Sequence, residues 1–167
     1  MATTYNKIAT TTLGSNTSSV TFSSITSSYT DLVISVNAKM TGEGNVYMQI
    51  GNSSVDTGSN YNSLLIYGAG GGNTALTAYS NASTQFTVGE ISGTKFSANL
   101  INLMNYTSTS TFKYTLCRSI FTDGSQHSDL WSGAWRSTSA VNIIKLFHDT
   151  YSFVSGSTFT LYGIAKY

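Results

Sequence analysis

Thr30–Met40 reads TDLVISVNAKM, and its alternation decides the fold class. Leu32, Ile34, Val36, Ala38 and Met40 fall on one face. Asp31, Ser35, Asn37 and Lys39 fall on the other, with Val33 the one exception. A period of two is the mark of a strand with one buried face. TGEG follows as a turn, and Asn45–Gly51, NVYMQIG, repeats the pattern with Val46, Met48 and Ile50 inward and Asn45, Tyr47 and Gln49 outward. The two segments together predict an antiparallel hairpin.

Similar segments recur along the chain, and none carries a 3.6-residue stripe. YNSLLIYG leads into the glycine-rich GAGGGN (68–73), followed by TALTAYS and STQFTVGEI. FSANLINLMNY is apolar on both faces, which predicts a strand buried between two layers. FKYTLCRSIF has Phe112, Tyr114, Leu116 and Ile120 on one side, and DLWSGAWRS has Trp131, Gly133 and Trp135 on one side. VNIIKLF and a closing STFTLYGIAKY complete the set. No proline occurs, so Gly, Ser, Thr and Asn supply the turns. About eight to ten short strands with turn signals between them predict an all-β protein, an antiparallel β-sandwich of jelly-roll type. Residues 1–15 read as an N-terminal arm or first strand, and 16–167 as one sandwich domain, a natural size for a single core.

Composition narrows the function. Charged residues are 9 % of the chain, against ~25 % in ordinary globular domains. A surface of Ser, Thr and Asn suits broad protein contact, because few charges must be desolvated. Net charge +1 with no Lys/Arg cluster argues against nucleic acid. No apolar run is long enough to cross a membrane as a helix, and the N-terminal MATTYNKIATTT has no apolar signal core. The expectation is a protein made and kept in a cytosol, or one that leaves by a route other than secretion.

Residues that could carry chemistry are few. Cys117 stands alone in an apolar run and reads as a small core residue. His127 lies near Asp129, and His148 next to Asp149; both read as polar turn residues, with too few ligands for a zinc site. SVDTGSN carries one carboxylate, Asp56, where a calcium loop needs several. GAGGGN lacks the Lys-Ser/Thr of a phosphate loop and reads as a hairpin tip. Nothing asks for a cofactor or a metal, and no catalytic residue is assigned. Trp131 and Trp135 have two readings, core packing or stacking on a partner or sugar. With Tyr5, Tyr162 and Tyr167 they form the candidate partner-interface set, since aromatic residues are enriched at interfaces.

Five ordered strings carry a resemblance: SYTDLVISV, GSNYNSLLIYGAGGG, LINLMNY, WRSTSAVNIIKL and SGSTFTLYGI. In that order they resemble a family of virion proteins of tailed phages, marine and cyanobacterial ones among them, from about Ser24 to Ile164. Family members often carry a proline before the first tyrosine and an acidic FNGD-like turn; here those places read SITSSYTDL and QIGNSSVDTGSNY. The resemblance implies a non-enzymatic structural part of the virion and a closing strand, SGSTFTLYGI, set inside a sheet. The expectation is a capsid decoration or cement protein, a homotrimer, whose partners are the major capsid protein or neighbouring virion proteins. The alternative is a tail or neck fibre module that binds host polysaccharide.

Overall fold

The computed structural model describes residues 4–69, 76–123 and 125–165; for Ala69, Leu76–Ala78, Thr122, Asp123 and Ser125–His127 it describes the backbone alone. Among these residues there is no helix. Thirteen strands form two antiparallel sheets. They are β1 (Tyr5–Thr12), β2 (Ser19–Phe22), β3 (Tyr29–Ala38), β4 (Gly44–Asn52), β5 (Ser54–Val55), β6 (Tyr61–Ala69), β7 (Leu76–Ser83), β8 (Phe86–Ile91), β9 (Ser97–Met104), β10 (Lys113–Asp123), β11 (Ser125–Trp135), β12 (Ile143–Phe147) and β13 (Thr158–Ala165). The count exceeds the expected eight to ten because the chain inserts additional strands into the sandwich.

The larger sheet runs β1-β13-β3-β9-β10-β11-β6-β7; the smaller runs β2-β12-β4-β5, with β8 also paired to β4. Without β5, β6, β7, β10 and β11, the sheets reduce to β1-β13-β3-β9 and β2-β12-β4-β8. That is the strand order of an eight-stranded jelly roll, with the chain alternating between layers as two Greek keys. The inserted β10, β11, β6 and β7 widen one layer beyond the jelly-roll core. The segment read as an arm or first strand supplies β1 at the edge of this sheet, and the closing strand β13 lies inside it, between β1 and β3.

The hairpin expected from β3 and β4 does not form. β3 pairs with β13 and β9, whereas β4 pairs with β12, β5 and β8. The intervening Lys39–Glu43 crosses between the layers. Met40, fully buried, donates its N–H to Ser92 O at 3.1 Å, and Thr41 N–H reaches Ser152 O at 2.9 Å. The crossing lets the apolar face of β3 (Leu32, Ile34, Val36) meet that of β4 (Val46, Met48, Ile50) in one core cluster. A hairpin would have left both faces in a single layer.

The second departure concerns β9, which is not covered on both sides. Ile101 and Leu103 face the core, but Leu100 and Met104 lie on the outer face, only partly covered. In β10 Tyr114, Leu116 and Ile120 point outward. Its buried positions are Lys113, Thr115, Cys117, Ser119 and Phe121. This inner row lies beside two indoles on β11, with the small Cys117 opposite Trp131 and Lys113 opposite Trp135. β8 covers them from the other layer through Phe86 and Val88.

Candidate interaction face

The candidate site is the outer face of the eight-stranded sheet, and it has two halves. Register aligns Thr10 with Thr160 and Thr12 with Thr158 on β1 and β13, and Asn37 with Thr158 on β3. Thr10 Oγ1 lies 3.2 Å from Thr160 Oγ1, and Thr12 Oγ1 lies 3.2 Å from Thr158 Oγ1. This half is a polar hydroxyl surface.

The other half is apolar. One cross-strand row reads Leu116, Ser132, Leu64 and Tyr79 on β10, β11, β6 and β7. The next row towards the opposite end includes Arg118, Leu130 and Ile66, and Tyr114 stands beside Met104 and Ala134. Leu64, Ile66, Tyr79, Tyr114, Leu116 and Ile120 are 38–65 % exposed. Between them lies a hollow of about 400 Å³, floored by the small Ser132 and Ala134 and walled by Tyr114 and Leu116 on one side and Leu64 and Tyr79 on the other. Asn62 also lines it, and its Oδ1 is buried without a hydrogen-bond partner among the described residues. A second hollow, bounded by Tyr5, Asp31, Asn102 and Arg118, shares Met104 and Leu116 with the first. The two halves therefore form one continuous surface.

No family model, curated protein or solved structure matches this chain.

The interface residues expected from sequence separate sharply. Tyr5 is 54 % exposed and meets Tyr162 edge-on, ring centroids 6.4 Å apart, at the polar end of the face. Trp131 and Trp135 are 7 % and 3 % exposed. They belong to the core, the first of their two readings, and so leave the candidate partner-interface set. Gly133 lies between them because a Cβ there would come within 2.7 Å of both Asn62 O and Phe86 Cδ1. Tyr167 lies outside the described residues. Sequence reasoning missed Leu64, Ile66 and Tyr79. Their signal is weak, because an apolar residue in a strand fits either face.

The remaining candidates hold the fold together. The Asp56 carboxylate accepts from Gly58 N–H (2.8 Å), Asn60 Nδ2 (2.8 Å) and Trp135 Nε1 (2.7 Å). Burial alone would raise its pKa, but these bonds outweigh burial and hold it below the ordinary carboxylate value. Its oxygens therefore serve the loop and the indole. His148 Nδ1 accepts from Thr150 N–H and Tyr151 N–H, both at 2.9 Å, and its ring stacks between Tyr47 and Tyr151. Burial lowers its pKa, with Asp149 opposing, so the neutral ring is favoured. The His127 side chain and residues 70–73 of GAGGGN lie outside the described residues. Among the described residues no three His, Cys, Asp or Glu side chains are grouped to hold a metal ion.

Proposed function

We propose that this chain is a non-enzymatic structural protein of a phage particle, a decoration or cement protein that binds the assembled capsid and bridges its neighbours. The observation that carries this reading is the uncovered apolar half of the outer sheet face. Six large side chains at 38–65 % exposure, at ~200 Å² for each when fully exposed, leave on the order of 600 Å² of apolar surface. That is at the upper end of what a soluble monomer leaves bare. In a chain with so few charges, such a face suits permanent burial in an assembly.

Two further points support the reading. The five ordered strings resemble tailed-phage virion proteins. Jelly rolls also serve in viral capsids, although they serve in lectins too, so the fold alone does not choose. A protein that binds only the assembled shell stabilises it by mass action. The fibre reading is weaker, since Trp131 and Trp135, the side chains that were to stack on sugar, are buried.

The test is copy number on purified particles that encode this chain, by quantitative mass spectrometry against the major capsid protein. Comparable numbers are expected. A number many times smaller would move the chain to the neck or tail and favour host recognition.

A further inference from the structure

We propose that the apolar half of the outer face is covered by a second copy of this chain, packed sheet on sheet across a two-fold axis. The proposal rests on reading this face as an assembly surface, and it names the occupant.

Area argues for it first. A stable interface buries ~800 Å² per partner. The six exposed apolar residues supply most of that, and the half-covered Leu100, Met104 and Leu130 beside them supply more. Charge argues for it next. Among the described residues facing outward on β9, β10, β11, β6 and β7, Arg118 is the one charged side chain. It stands within the patch, between Leu116 and Ile120 along β10 and between Leu100 and Leu130 across the sheet. A two-fold axis over β11 and β6, where no described outward residue is charged, lets two copies meet apolar on apolar with the two Arg118 side chains apart, and self-pairing needs no complementary surface from elsewhere.

Shape completes the case. An isologous pair presents the same knobs and hollows to each other. The hollow over Ser132 and Ala134 is open to the outer face. The most exposed large apolar side chain on the same face is Tyr79, 65 % exposed, which carries a phenol donor. Face-to-face sheets pack ~10 Å apart at about −30°, close enough for a tyrosine to enter a hollow in the opposing sheet.

The experiment is light scattering and sedimentation on the full chain, with Ile66→Asp, Ile120→Asp and Thr10→Asp compared. Ile66 and Ile120 are 52 % and 58 % exposed, so a carboxylate at either position leaves the core intact. Circular dichroism confirms that each variant folds. The expected result is a wild-type dimer, a Kd raised at least about tenfold by either isoleucine substitution, and no change from Thr10→Asp on the polar half. A wild-type monomer at ~100 µM, a trimer, or a dimer that survives both isoleucine substitutions overturns the proposal. A monomer that is nonetheless abundant on particles overturns self-pairing and leaves the virion reading standing. A dimer absent from particles supports the pairing and sinks the virion reading instead.

Discussion

Trp135 Nε1 donates to Asp56 Oδ2 at 2.7 Å and ties β11 to a loop 79 residues earlier in the chain. The same indole stacks on Tyr61, whose hydroxyl donates to the carbonyls of Ile50 and Asp56. One carboxylate thereby positions the loop after β5 against the aromatic core. Asp56→Ala is expected to cost ~1–2 kcal/mol, a fall of several degrees in Tm. A double-mutant cycle with Trp135→Phe is expected to show coupling above ~0.5 kcal/mol. Additive effects would mean the bond is idle. Because the folded pKa of Asp56 is depressed, its contribution is present above the ordinary carboxylate value and is lost as pH falls through the folded value.

His148 predicts a second acid-sensitive step at higher pH. Its pKa is lowered in the folded state, so the unfolded chain binds the proton more readily. Stability is therefore full above the unfolded value of ~6.5 and declines as pH falls below it. Urea unfolding between pH 7.5 and 5 measures the slope. His148→Phe keeps a ring for Tyr47 and Tyr151 but removes the acceptor; it is expected to lower stability at neutral pH and to flatten the slope in this range. An unchanged slope would exclude His148 as its source.

Gly133→Val is expected to destabilise by ~1–3 kcal/mol through overpacking. Its side chain would meet Asn62 O, a backbone atom that cannot turn aside, and the Phe86 ring. Thermal melts of this variant and of Gly14→Val make the comparison. A Cβ at Gly14 meets nothing within 4 Å. Equal melts for the two variants would contradict the packing described for β8 against β11.

Cys117 is fully buried, and burial pushes its thiol pKa far up. In the native protein at pH 8 it is expected to react with a thiol reagent only at the rate of unfolding, and at once in denaturant. Rapid labelling of the folded chain would show that β8 opens over this part of β10.

Alternation revealed the strands because burying one face imposes a period of two. It does not reveal pairing, since the hydrogen-bond partners of a strand lie far away in sequence. TDLVISVNAKM and NVYMQIG are thus legible as strands, while their assignment to opposite sheets is not. Nor does alternation say which face is buried when both are plausible. In β10 the bulkier side, Tyr114, Leu116 and Ile120, faces out. The middle of the inner side, Thr115, Cys117 and Ser119, is small where Trp131, Trp135 and Phe86 fill the adjacent space. Lys113 is the least expected core residue. Its ammonium donates to the carbonyls of Ser108, Thr111 and Thr138, which makes burial tolerable, and only the folded loops bring those three acceptors together.

The place of β13 between β1 and β3 sets an order of events during synthesis. Thr10 and Thr160, neighbours across the sheet, are separated by 150 residues. Until Thr158–Ala165 leaves the ribosome, β1 has no strand to pair with and β3 shows an open edge. A nascent chain can collapse around β3, β4 and β9, but its larger sheet stays split. Such a chain folds late and is exposed to strand-edge aggregation while it waits. Ribosome stalling or proteolysis that removes β13 would release β1 as a loose segment instead of trimming an edge.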